Sequence, residues 1–236
     1  MEQQTLKITG VLSDPTRFSI YQYVTKQHRE VTVQEIADVF NIHPNVARLH
    51  LTKLEDVKLL FSVTKKTGNG GRPSRYYQLS DEVVSLQFPY RDYKLLSEIA
   101  IQSLASLGKE GEQVLIKTGE KFGYMLTEDF VRSLEQNIHN LTAQEKIHLI
   151  ERITLNQGLN PEINYDKEKN EVVFRIYNCT FKEIAKTNHA ICKMHYAQIH
   201  GMFKYFFGDV TLKQQSNLLH IDDFTCTYKT VLLPKA

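Results

Sequence analysis

The first 80 residues show short stretches of helical periodicity followed by strand-like alternation. A helix is predicted to begin near Pro15, because Ser13 or Asp14 can cap it and proline suits the first helical position. The apolar face of this helix is assigned to Phe18, Ile20, Tyr21 and Val24. This segment is therefore predicted to be a packing helix.

Two further short helices are predicted, joined by a tight turn. In TVQEIADVF, Thr32 and Glu35 have the spacing of a capping box, and Asn41 can take the left-handed turn that ends the helix. Pro44 suits the start of the next helix. Its apolar face is assigned to Val46, Leu49, Leu54 and Val57. Two short helices around a tight turn are typical of a helix-turn-helix.

A basic hairpin is predicted after these helices. Leu60 to Thr64 alternates as a strand, GNGG is typical of a turn, and RYYQLS returns as a second strand. The stretch from Lys58 to Ser80 has no acidic residue and five basic ones, namely Lys58, Lys65, Lys66, Arg72 and Arg75. Such a wing can follow a phosphate backbone or enter a narrow minor groove, which indicates double-stranded DNA as a partner.

The polar side of the third helix supplies further candidate DNA contacts. Recognition helices read bases with their N-terminal residues, so Asn45 and Arg48 are assigned to base edges. Phosphate contacts are assigned to His50, Thr52 and Lys53 on the helix and to Lys65, Lys66, Arg72 and Arg75 on the wing. In the alternative interpretation these charges form a solvated face, and the module binds another protein.

Residues 89–160 are predicted to be a helical connector. Helical periodicity from Asp92 to about Phe130 breaks near Gly108 and Gly111, and a later helix has Thr142 with Glu145 as its capping box. One wide apolar face contains Leu95, Leu96, Ile99, Ile101 and Leu104. It suits either the core of the chain or packing against a second subunit.

The cysteines lie in the last third of the chain. INYDKEKNEVVFRIYNC predicts a hairpin with Cys179 at the end of its second strand. Asn188 can cap a new helix starting at His189 or Ala190, so that Cys192 lies in its first turn and the chain doubles back toward Cys179. A helix N-terminus lowers the pKa of a thiol, which favours the metal-binding thiolate.

A third thiol and two histidines complete this candidate site. Cys226 alternates with threonines in the strand FTCTY and faces the interior beside Phe224 and Tyr228. Three sulfurs from these elements would suit an iron-sulfur cluster or zinc. His189 and His195, three residues on either side of Cys192, are additional candidate ligands. Cysteines that pack as small hydrophobes are the alternative.

Composition sets the class of protein. At 236 residues with 42% hydrophobic residues, the chain can bury a sizeable core. The predicted fold class is α+β, with a winged helix-turn-helix over 1–88, the connector over 89–160 and an α/β sensor domain with antiparallel strands over 161–236.

Three cysteines, an odd number, argue against a disulfide framework. With no apolar run long enough for a bilayer, a cytoplasmic location and no membrane partner are expected.

The N-terminal motifs resemble a known family. TVQEIADVFNIHPNVARLHLTKLEDVKLL followed by GGRPSRYYQLS resembles the winged-helix module of bacterial ArsR/DeoR-type transcriptional regulators across residues 11–80. The resemblance implies a homodimer that binds an inverted repeat, with the third helix in the major groove and the wing alongside.

The cysteine segment resembles a second group. NCTFKEIAKTNHAICKMHYAQIHGMF is similar to the C-terminal segment of regulators related to the repressor of the suf iron-sulfur assembly operon. The resemblance implies that Cys179 and Cys192 belong to an iron-sulfur site and that His189 matches the histidine of that family. The match then breaks, since Phe206, Phe207 and Gly208 stand where family members carry another cysteine. Cys226 is the candidate for that role.

These observations predict a DNA-binding transcriptional regulator, expected to be a repressor, whose C-terminal cysteines bind an iron-sulfur cluster or metal that modulates DNA binding. Zinc or no cofactor is the alternative to a cluster. A regulator that responds to a small organic ligand or to thiol oxidation also remains open. An enzyme is not expected, because the chain has no H-E-x-x-H, nucleophile elbow or deaminase motif.

Overall fold

The chain folds into two compact units, residues 1–91 and 92–236. A computed structural model describes residues 2–65, 73–86, 88–134, 140–220 and 223–232. Helices dominate both units and each contains an antiparallel sheet, which confirms the α+β class. The helices of 92–160 belong to the second unit rather than to a separate connector. Of the helices described, none is long and apolar enough to cross a membrane.

The N-terminal unit places a small sheet beside its helices. The helices are α1 (Glu2–Leu12), α2 (Pro15–Gln27), α3 (Val33–Phe40) and α4 (Pro44–Asp56). The strands are β1 (Val31–Thr32), β2 (Leu60–Lys65) and β3 (Ser74–Leu79), and β3 pairs antiparallel with both others. Helix α1 is not among the predicted elements, and it adds Ile8 and Val11 to the core of this unit.

Local capping signals fix the starts of these helices. The Asp14 carboxylate accepts a hydrogen bond from the backbone N–H of Arg17 at 2.9 Å, and the Thr32 hydroxyl accepts one from Glu35 at 3.1 Å. Asn41 ends α3 in the left-handed conformation with φ 50°. These features confirm the predicted bounds of the helix-turn-helix.

The C-terminal unit contains five helices and four strands among its described residues. The helices are α5 (Tyr93–Ala105), α6 (Lys109–Ser133), α7 (Ala143–Asn156), α8 (Lys182–Ala185) and α9 (Ala190–Phe207). The strands are β4 (Pro161–Asp166), β5 (Glu171–Ile176), β6 (Lys213–Ser216) and β7 (Cys226–Val231). Their order in the sheet is β4-β5-β7-β6, and every neighbouring pair is antiparallel.

Helix α9 is the centre of this unit. One side packs on the sheet, where Phe203 lies against Phe174 with 6.0 Å between ring centroids. The other side meets α6 at backbone distance, because a Cβ at Gly123 would lie 1.8 Å from the carbonyl oxygen of Gln198. The ammonium group of Lys204 also binds the Glu120 carboxylate at 2.6 Å. Helix α9 is therefore packed between the sheet and α6.

Candidate DNA-binding surface and thiol pocket

The three cysteines line one pocket. The space, counted with its opening to solvent, is about 310 Å³, and its polar lining includes the three thiols, His195, Asn217 and Tyr228. The cysteines are Cys179, Cys192 and Cys226, all of them free thiols. The predicted meeting of the three thiols therefore occurs, within a small cleft of the C-terminal unit.

Each thiol comes from a different place in the chain. Cys179 follows β5 by three residues instead of ending that strand, which corrects the predicted strand bound. Cys226 begins β7 and pairs with Ile176 at the end of β5. Cys192 lies in the first turn of α9, whose start is set by the Asn188 side chain accepting a hydrogen bond from the Ala190 N–H at 3.1 Å. The predicted break between two helices before Ala190 is confirmed.

Hydrogen bonds orient the sulfurs within the pocket. The Cys179 sulfur lies 3.4 Å from Nδ1 of the buried His195. The backbone N–H of Leu218 donates to the Cys226 sulfur at 3.4 Å. The Cys226 thiol in turn lies 3.9 Å from Oδ1 of Asn217. His189, the other histidine considered as a ligand, is exposed at the start of α9 and does not line the pocket.

Burial decides the protonation of these groups. It raises the pKa of the Cys179 thiol to about 11, and it also raises the pKa of Cys192 and of Cys226. Burial lowers the pKa of His195 to about 4. The pKa of Cys192 was expected to fall at the helix N-terminus, but it is raised, chiefly because burial removes water from the thiol. In the absence of a cation, the pocket holds protonated thiols and a neutral imidazole at pH 7.

The donor set suits a thiophilic metal, but the donors are not preassembled. Within the described parts of the chain, no three His, Cys, Asp or Glu side chains are grouped closely enough to hold a metal ion as they stand. Three thiols and an imidazole are nevertheless ligands that zinc and iron-sulfur clusters use. Binding such a group would release thiol protons and draw the side chains together.

In the N-terminal unit, helix α4 presents a polar and partly apolar outer side. Asn45, Arg48 and Lys53 are exposed, and the Arg48 guanidinium donates a hydrogen bond to Oδ1 of Asn45 at 3.1 Å. Thr52 is half-buried. Three of the predicted contact residues on this helix are thus accessible to a large partner.

The inner side of α4 differs in part from the predicted one, since Leu54 and Val57 are buried as predicted but Val46 and Leu49 are not. Its buried residues are Ala47, His50, Leu51 and Leu54, whereas Val46 and Leu49 are 41% and 55% exposed. His50, assigned from sequence to a phosphate, is only 8% exposed, and burial lowers its pKa. Its place in the interior does not suit a phosphate contact. The sequence misleads because both sides of this helix carry apolar residues.

Ion pairs hold two of the basic wing residues. Arg75 donates from Nη2 to the Glu55 carboxylate and from Nε to the Ser62 hydroxyl, both at 2.6 Å. The Lys65 ammonium binds the Glu30 carboxylate at 2.6 Å. Arg75 therefore fastens the hairpin to α4. The other two basic residues assigned to this loop, Lys66 and Arg72, lie outside the described residues.

Residues 12–62 match the helix-turn-helix domain family. The match begins at the end of α1 and reaches into β2, so it contains the whole α3-turn-α4 motif. It supports a DNA-binding helix-turn-helix regulator. No curated protein matches the sequence.

Two solved structures have weak similarity to the chain. One is trafficking protein particle complex subunit 3 from Naegleria fowleri covalently bound to palmitic acid, at 16% identity over 60% of this chain and 97% of that one, with a TM-score of 0.43. The other is Bacillus subtilis PadR in complex with operator DNA, at 15% identity over 60% and 91% of the two chains, with a TM-score of 0.25. Likenesses of this strength do not establish a shared fold.

Proposed function

We propose that this protein is a transcriptional repressor whose thiol pocket binds an iron-sulfur cluster that modulates DNA binding. The observation that carries the proposal is the meeting of Cys179, Cys192 and Cys226 in one pocket with His195 beside them. Three free thiols that line the same opening are soft ligands brought close together, and such groups favour metal chemistry.

The proposed ligands are the three thiols, with His195 as the fourth. His195 and Cys192 lie three residues apart on α9 and so face the same side of that helix. When bound, the metal centre would supply positive charge that stabilises the thiolates. Zinc is the alternative occupant, because three cysteines and one histidine also form a zinc ligand set.

Binding of the metal centre in the pocket would change the position of α9. Its walls come from the turn after β5, the start of α9 and the start of β7, so drawing the thiols together would pull these segments toward one another. A ligand shifts a conformational equilibrium only by its difference in affinity for the two forms. The proposal therefore requires a difference in DNA affinity between the loaded and the metal-free protein.

A homodimer on an inverted repeat is part of this proposal. Helix α5 has no fully buried residue, and Leu95, Leu96 and Ile99 on it are 51–62% exposed. Exposed apolar residues grouped on one helix favour a protein interface. A second copy of the chain is the proposed partner, since it would place two recognition helices on one DNA site. Light scattering of wild type and Ile99→Glu tests this, with a shift to monomer expected in the variant.

The metal proposal is tested on protein purified without oxygen. Iron, acid-labile sulfide and zinc would be measured together with the visible absorption spectrum, in wild type and in Cys179→Ser, Cys192→Ser, Cys226→Ser and His195→Ala. His189→Ala is the matched control, because His189 is exposed and off the pocket. Iron and sulfide lost in the cysteine variants but kept in the control would support the cluster. Stoichiometric zinc without sulfide would support the alternative. Wild-type protein without bound metal would contradict both the cluster and the zinc site.

A further inference from the structure

Two apolar side chains stand on the outer side of the recognition helix. Val46 is 41% and Leu49 55% exposed. They lie three residues apart, so they are neighbours on one side of α4. The exposed Asn45 and Arg48 directly precede them in the chain. The face that a recognition helix presents to DNA is therefore partly apolar.

Folding of the domain does not account for these two residues. The inner side of α4 is already filled by Ala47, Leu51 and Leu54, which are fully buried. Valine is also a poorer helix former than the polar residues usual at exposed helical positions. Val46 and Leu49 thus contribute little to the domain itself and are free to contact another molecule.

The charge around them suits DNA. The stretch 45–53 holds no acidic residue, and it carries the exposed cations Arg48 and Lys53. An apolar patch flanked by positive charge fits a surface that combines phosphates with small apolar groups. The major groove is such a surface, because the C5-methyl group of thymine is the apolar group on its base edges.

We propose that Val46 and Leu49 contact thymine methyl groups in the major groove, so that the protein selects A·T pairs at the positions they reach. This inference rests on the proposed DNA-binding function. The two aliphatic side chains would recognise the methyl group of thymine. Hydrogen bonds from Asn45 or Arg48 do not supply this recognition, because they are made to other atoms of the base edges.

The test uses DNA that lacks single methyl groups. Preferred sites would first be selected from a random duplex library with the full-length protein. Each thymine of the best site would then be replaced by deoxyuridine, which removes the methyl group and keeps the hydrogen-bonding edge. We expect about a fourfold loss of affinity for each contacted methyl group, from the transfer free energy of one buried carbon.

Variants connect the methyl groups to the two residues. Val46→Ala and Leu49→Ala should each lose sensitivity to deoxyuridine at one position while keeping the thermal stability of wild type, since neither side chain is buried. The control is Val39→Ala on α3, where Val39 is 51% exposed, and it should keep the full sensitivity. The inference would be overturned, and the proposed DNA-binding function left intact, by either of two results. One is a selected site whose affinity is unchanged by deoxyuridine, and the other is a pair of variants whose affinity falls with deoxyuridine as much as that of wild type. Failure to select any site would overturn the proposed DNA-binding function with it.

Discussion

The sulfur of Cys179 lies 3.4 Å from Nδ1 of His195, joining the turn after β5 to helix α9. Because burial keeps the imidazole neutral, this contact is a hydrogen bond between uncharged groups and not a thiolate-imidazolium pair. Both groups are thus uncharged at pH 7, and the thiols become strong metal ligands only on losing their protons.

The close contact between α6 and α9 predicts a strong effect of one added methyl group. In Gly123→Ala the new Cβ would lie 1.8 Å from the Gln198 carbonyl oxygen, so the helices must move apart. We expect the free energy of unfolding to fall by about 2 kcal/mol or more. Urea denaturation followed by circular dichroism measures this loss.

Gly10→Ala is the matched control for that substitution. Gly10 lies within α1, and a Cβ there has nothing within 4 Å. Alanine is the better helix former, so a gain of about 0.5–1 kcal/mol is expected. Equal losses in the two variants would contradict the close helix contact.

A salt-bridged carboxylate predicts acid sensitivity of the N-terminal unit. Glu35 accepts hydrogen bonds from Arg29 at 2.7 Å and from the Tyr23 hydroxyl at 2.9 Å, and the guanidinium of Arg29 is the main cause that lowers the Glu35 pKa. Its contribution to stability is present above the ordinary value of 4.5 and is lost as pH falls through the lower folded-state pKa.

Glu35→Gln tests this assignment. The difference in unfolding free energy between wild type and the variant should be constant above pH 4.5 and shrink at more acidic pH. Urea unfolding at several pH values measures it. A difference that grows on acidification would mean that the sign of the pKa shift is wrong.

The proposed role of α4 as a recognition helix predicts two distinct losses of DNA binding. Arg48→Ala should cost about 1–3 kcal/mol on the preferred site and little on random DNA, because it removes the base contact proposed for Arg48. Lys53→Ala should weaken both DNAs alike and lower the slope of log affinity against log salt by about one, because it removes a phosphate contact. Fluorescence anisotropy over a salt series separates the two, and identical behaviour of both variants would refute the assigned roles.

Sequence predicted those features whose partners lie close along the chain. The caps at Asp14, Thr32 and Thr142 need only the residue three positions later, and all three are present. The break at Asn188 is local in the same way. Such contacts depend on the type of side chain and on the number of residues between the partners, and both can be read from the sequence.

Several features decided by tertiary burial were not predicted correctly. On α4 the apolar residues Val46 and Ala47 are adjacent in sequence, and only packing shows that the second is buried. The pKa of Cys192 was expected to fall at the start of α9, but the surrounding protein removes water from the thiol and raises it. The first helix was not predicted, although its Ile8 and Val11 belong to the core of the N-terminal unit.

One measurement tests the central claim most directly. The affinity for a selected DNA site would be determined without oxygen for wild-type protein loaded with its metal centre and for the same protein after chelation, beside Cys192→Ser treated in the same way. The account predicts that removal of the metal centre changes wild-type affinity at least fivefold, the lower end of typical allosteric coupling, while Cys192→Ser has one affinity under both conditions. Equal affinities of loaded and metal-free wild type would contradict it.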